Sequence, residues 1–180
     1  GSRGMAHVPG RPMLDPVVES QPATVSDPAH GGPGPLDALL PSEMAAKAEA
    51  VGVRKAAMPW LTTFVLAILA GAFISLGAMF ATTVVAGAGD RLPFGVARLL
   101  AGVVFSLGLI LVVVAGAELF TGNNLIVMAW ADRRVSSKQL VSNWVLVYAG
   151  NFVGAIATAG IVFLARQYEF GGGAVGEAVL

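Results

Sequence analysis

Long uncharged runs alternate along this chain with short polar segments. Ala56 to Gly89 carries no charge over 34 residues, so a tilted membrane helix fits inside it, over about 59–85. A second apolar region covers 94–131, and within it Leu99 to Ala117 is 19 uncharged residues, roughly 28 Å of helix and enough to cross a bilayer. Gln139 to Ala165 adds 27 uncharged residues, predicting a third span over 137–165. The second span is interrupted near 116–124. There VVAGAELFTGNN (Val113 to Asn124) sets a carboxylate, two glycines, a hydroxyl and two amides into an apolar run. The 13 uncharged residues from Leu119 to Ala131 make roughly 20 Å of helix, too short to cross alone. The pattern therefore predicts one membrane helix unwound at depth and followed by a short half-helix. Such backbone is tolerated only where protein buries it or it lines a polar cavity. A broken helix with an ionisable residue at the break points to a substrate pathway.

The first 56 residues read differently. GSRG (1–4) before Met5 has the look of a tag remnant and is excluded from fold reasoning. Residues 5–41 are rich in Pro, Gly, Ala and Ser without hydrophobic periodicity, so a disordered N-terminal tail is expected. Residues 42–56 read as an amphipathic interfacial helix. Ser42 suits its N-cap and Glu43 its first turn, while Lys47, Arg54 and Lys55 reach water or head groups. The remainder, 57–180, is the membrane part. Within it Ala67, Gly71 and Ser75 form a small-residue stripe, Gly102 and Ser106 a second close pair, and Gly150 to Gly154 a GxxxG face.

Composition agrees with a polytopic, all-α membrane protein. The chain is 56% hydrophobic and 12% charged, with a mean hydropathy of +0.75, against about 25% charged residues in soluble domains. Net charge is zero, so no basic patch speaks for nucleic acid. There is no cysteine, and the two histidines, His7 and His30, lie in the tail; no metal or cofactor is called for. Six Lys/Arg (Lys47, Arg54, Lys55, Arg133, Arg134, Lys138) flank one side of the spans and three (Arg91, Arg98, Arg166) the other, which places the N-terminus in the cytoplasm of a multi-pass protein of the inner (plasma) membrane. An intramembrane enzyme lacks support, since no His, Cys or paired carboxylates lie in the spans.

At Gly116-Ala117-Glu118-Leu119-Phe120-Thr121 the sequence resembles the signature of the formate/nitrite transporter family. FSLGLIL (Phe105 to Leu111) and NWVLVYAGNFVGA (Asn143 to Ala155) extend the likeness, which covers Met58 to Arg166. The resemblance implies an aquaporin-like helical bundle, assembled as a homo-pentamer in the lipid bilayer, that passes a small monovalent anion. Formate or nitrite leads, with hydrosulfide or another short-chain monocarboxylate as the alternative. It also implies six spans, of which this chain supplies about the first three; the family's central histidine belongs to the other half. Leu119 and Phe120 then match the cytoplasmic pore constriction, Phe105 and Leu109 the outer one, and Thr121 the hydroxyl that bonds the central histidine. Glu118, Thr121 and Asn123 form the polar part of the loop. Two roles stay open for Glu118, pinning the unwound loop or handling protons and repelling substrate. Asn123 and Asn124 stand where some relatives have Ser-Thr, and their amides can cap the short helix that follows.

Because nothing in 5–41 can form a core, deleting those residues is expected to leave folding and assembly intact. Size exclusion in mild detergent checks this; loss of the assembled species would make the tail structural.

Overall fold

The computed structural model describes residues 40–179, besides Gly1. The tail and both histidines lie outside the described residues, apart from the tail's last two positions. Helix α1 runs Pro41–Ala56, α2 Trp60–Val85, α3 Phe94–Val114, α4 Phe120–Asn123, α5 Ile126–Ala131, α6 Ser137–Leu164 and α7 Ala174–Glu177. Single 3₁₀ turns at Gly89–Arg91 and Gln167–Glu169 complete the described elements, which include no strand.

Local sequence explains where the helices begin. Pro59 precedes α2 and Pro93 precedes α3, each lacking the N–H that a helix start would leave unpaired. Ser136 caps α6: its hydroxyl accepts from the Gln139 backbone N–H, and the Gln139 side chain accepts from the Ser136 N–H. At α1 the expected Ser42 cap is not used. Pro41 takes the first helical position, for which its fixed φ is suited, so the helix starts earlier and the Glu43 carboxylate accepts the Leu40 N–H at 2.9 Å.

Three helices, α2, α3 and α6, are long and apolar enough to cross a membrane. α2 packs along both α3 and α6, while α1 lies against α5. Small residues set the closeness of the α2–α6 crossing. A Cβ on Gly71 would collide with the Asn151 carbonyl, and one on Gly154 with the Ile68 carbonyl. Ala67, which faces Gly150, is fully buried. The stripes on α2 and α6 are thus packing faces. On α3 the contact is made elsewhere than expected: Gly102 meets no neighbour among the described residues, whereas Gly108 abuts the Phe73 carbonyl and Gly77 of α2.

Much of the apolar surface stays uncovered. Only Gly108 and Val112 of α3 are buried, and Leu99, Val103, Phe105, Leu107, Leu109 and Val113 are exposed. A face of this extent suits lipid or further protein, not water.

Since Gly154 faces backbone that cannot rotate away, Gly154→Ala is expected to force α2 and α6 apart and to cost about 1–3 kcal/mol. Gly89→Ala, in open space, is expected to be neutral. Thermal unfolding in detergent compares the two.

Candidate functional site

The break in the second span begins with a helix stop. Gly116 takes φ +61°, its N–H bonds the Val113 carbonyl, and the Ala117 N–H bonds the Val112 carbonyl at 2.9 Å. This is a Schellman termination, and the Ala117–Val112 contact that accompanies it joins a buried cluster with Ala70. Past the glycine the chain is extended, with Leu119 at φ −98° and ψ 132°. Its polar groups find partners in other elements. The Glu118 N–H bonds the Leu66 carbonyl of α2 at 3.2 Å. The Asn151 side chain on α6 accepts the Phe120 N–H at 2.9 Å and donates to the Glu118 carbonyl at 2.9 Å and the Ala67 carbonyl at 2.8 Å.

The half-helix expected over 119–131 is itself divided into α4 and α5. The Trp144 indole N–H donates to the Asn123 carbonyl at 3.1 Å, and the Val127 N–H bonds Asn124 in place of Asn123. The chain therefore tightens to i→i−3 bonds at the junction.

Glu118 is 3% exposed and not alone. Lys55, in the last turn of α1, donates from Nζ to Glu118 Oε1 at 2.6 Å and to Asn123 Oδ1 at 3.1 Å. The Asn123 amide nitrogen donates to Glu118 Oε2 at 2.7 Å and to Asn143 Oδ1 at 2.9 Å. The Asn143 amide reaches back to the Lys55 carbonyl at 3.4 Å. No buried side-chain polar atom among the described residues lacks a partner. Two expectations are corrected here. Lys55 does not extend to water or head groups but turns inward, because a buried carboxylate is costly without a counter-charge. Asn123 does not cap the following helix; it is fully buried and its amide is spent on the ion pair and Asn143.

α1 reaches this position by close packing, since Gly52 is buried against Ala129 and Ile126 of α5. Arg134 also binds Glu49 of α1, and that hydrogen bond holds the Glu49 carboxyl below its ordinary value. A lowered carboxylate pKa gives a contribution that is full above the ordinary value and lost as pH falls through the lowered one. An exposed pair of this kind contributes little, so Gly52 packing and the Lys55–Glu118 pair carry the docking of α1.

The candidate residues are not all in one place. A recess of about 410 Å³ is lined by Lys55, Leu109, Gly116, Glu118, Leu119 and Thr121, with others of α3 and the loop. It unites Leu109, Glu118, Leu119 and Thr121. Phe120 turns instead towards α6, where its ring meets Tyr148 edge-on at 5.7 Å and Trp144 at 6.4 Å. Phe105, one turn before Leu109, and Asn123 are outside the recess lining. Sequence reasoning did not assign Lys55 to the site. The available signal was Glu118 itself: a carboxylate at depth needs a cation, and Lys55 is the basic residue bordering the first apolar run.

Fold and site together define a polytopic membrane protein whose second span is broken around a paired carboxylate. The formate/nitrite transporter profile matches residues 42–180. The chain is 49% identical over 146 residues to the formate channel FocA of Escherichia coli, covering 81% of this chain and 51% of that protein. It is 39% identical over 144 residues to FocA of Haemophilus influenzae, covering 79% and 50%. A solved pentameric formate channel with formate bound superposes with a TM-score of 0.62 at 46% identity, covering 66% of this chain and 46% of that one. This chain belongs to the formate/nitrite transporter family. It spans about half the length of the relatives it matches.

Removing one member of the buried pair leaves the other charge unpaired. Lys55→Met is therefore expected to cost about 3–5 kcal/mol, and Lys55→Met with Glu118→Gln markedly less than the sum of the singles. Thermal unfolding of the four proteins gives the coupling; additive losses would contradict it.

Proposed function

We propose that this chain is the N-terminal part of a channel for a small monovalent anion, formate foremost and nitrite next. The reading takes the whole protein as a homo-pentamer with an aquaporin-like fold and six spans per protomer, in the plasma membrane with a cytoplasmic N-terminus. The observation that carries it is the non-helical backbone at 115–119, a glycine stop followed by an extended stretch, held inside apolar surroundings by other elements and lining a recess with Leu109, Leu119 and Thr121. A segment that only anchored the protein would have no need to leave the helix, where its backbone bonds are satisfied at no cost. Relatives named formate channels at 39–49% identity support the substrate class.

The physical task is to move a hydrated anion through a medium of low dielectric. Stripping its water is costly unless protein dipoles replace it. Leu119 narrows the cytoplasmic side and Leu109 the outer side, so that bulk water and larger anions are excluded, while Phe120 braces the loop against Tyr148 and Trp144 of α6. Thr121 offers a hydroxyl donor inside. Glu118 works as an anchor here: its carboxylate is engaged by Lys55 and Asn123, and that pairing ties the loop to α1 and α6 and removes a bare negative charge from the pathway. With its neighbours neutralised, the wall presents one hydroxyl and apolar surface, which discriminates by size and dehydration cost more than by charge.

Uptake of formate, nitrite, hydrosulfide and lactate into liposomes tests the reading, using full-length protein verified as an intact oligomer. Formate and nitrite flux is expected to exceed that of lactate. Leu119→Ala is expected to raise flux or loosen selectivity; ordinary core packing would instead lose about 2–5 kcal/mol of stability with no such gain. Thr121→Val is expected to slow formate by about tenfold, the worth of a hydrogen bond to a charged group. Unchanged flux and selectivity in both variants would overturn the site assignment.

A further inference from the structure

We propose that Asn151 is a positioning residue that sets the width of the pathway at Leu119, by holding the backbone on both sides of that leucine with one side-chain amide. The inference rests on the reading of Leu119 as a wall of the pathway.

The geometry is that of a strand pairing made by a side chain. Asn151 Oδ1 accepts the N–H of Phe120 at 2.9 Å, the residue after Leu119, and Nδ2 donates to the carbonyl of Glu118 at 2.9 Å, the residue before it. A neighbouring β-strand would offer the same donor and acceptor to residues flanking an extended one. The second Nδ2 hydrogen goes to the Ala67 carbonyl of α2 at 2.8 Å. Three partners fix the orientation of the amide: reversed, it would set an oxygen against two carbonyls and a nitrogen against an N–H. With both flanking groups held, the extended conformation of Leu119 is fixed, and so is the direction of its side chain into the recess shared with Leu109 and Thr121.

Asn151 can do this because its own backbone is seated closely. Its carbonyl lies against Gly71, and Gly150 and Gly154 on either side of it in α6 press on Ala67 and Ile68 of α2. The clamp therefore references the loop to the most closely packed crossing in the described chain. Gln in this place would carry its amide one methylene too far, and Asp would keep the Phe120 bond while losing both donors. The ion pair of Lys55 and Glu118 acts separately, on the side chain of Glu118 and not on the backbone around Leu119.

The test uses the full-length protein in liposomes, with formate and the larger lactate as probes, and compares wild type, Leu119→Ala, Asn151→Ala, Asn151→Asp and the Leu119→Ala/Asn151→Ala double variant. Leu119→Ala and both Asn151 variants are expected to raise the lactate-to-formate ratio at least threefold, and the double variant no further than Leu119→Ala. Amide exchange at Phe120 is expected to accelerate at least tenfold in Asn151→Ala while α2 and α6 stay protected. A purely structural role would lower the amount of intact oligomer and slow both anions alike, leaving the ratio unmoved. Wild-type ratios in the Asn151 variants beside a raised ratio in Leu119→Ala would overturn this inference and leave the channel reading standing. No change in Leu119→Ala would remove the wall at Leu119 and the inference with it. Failure of both Asn151 variants to assemble would make the residue a folding determinant and overturn the positioning role.

Discussion

An extended stretch of backbone and a carboxylate share the interior of an apolar layer here, and neither can turn to water. In hydrocarbon each unpartnered N–H or C=O costs several kcal/mol, and a lone charge costs more. Most of what distinguishes this chain from a plain three-helix bundle answers that constraint. α2 lends the Leu66 and Ala67 carbonyls, α6 lends Asn143 and Asn151, and α1 brings Lys55 to Glu118. The loop is therefore built by three elements that each contribute a polar group, and displacing any one leaves a buried group without its partner.

That requirement explains the small residues. Asn151 can reach the loop only if the α6 backbone lies almost on α2, which Gly71, Gly150 and Gly154 permit. Lys55 can reach Glu118 only if α1 lies down on α5, which Gly52 permits. Electrostatics and packing are one design in this protein. The glycines carry no chemistry, but they bring within hydrogen-bond length the groups that make an unwound segment tolerable. The resulting order is local, confined to the break, and the adjoining recess lies beside it with Leu119 and Thr121 on its wall.

The helical class and the three apolar helices of membrane length were legible in the uncharged runs alone, because hydrophobic length is a strong constraint. The interruption of the second was legible too, since Gly116 and Glu118 disrupt an apolar run and only Gly accepts the positive φ of a Schellman stop without strain. The partners of the break were not. Lys55 precedes Glu118 by 63 positions, and its place at the end of an amphipathic helix pointed equally well to head groups; only the docking of α1 on α5 decides between them. Asn123 offered a cap by its position, yet tertiary demand for its amide prevailed over that local use. The separation of Phe120 from Leu119, one facing α6 aromatics and the other the recess, follows from the extended conformation at Leu119, which alternates side-chain directions. Treating the two as one apolar pair in the sequence concealed that difference.

The central claim is that the wall formed by Leu109, Leu119 and Thr121 lies on the path of the anion. No cysteine occurs in these 180 residues, so single thiols can be introduced cleanly, in a full-length background otherwise free of cysteine. Thr121→Cys and Leu109→Cys, reconstituted in liposomes and treated with a small methanethiosulfonate reagent, report directly on that path. The account predicts that modification at either position blocks formate uptake and that saturating formate slows the modification. Complete modification with uptake unchanged would contradict it.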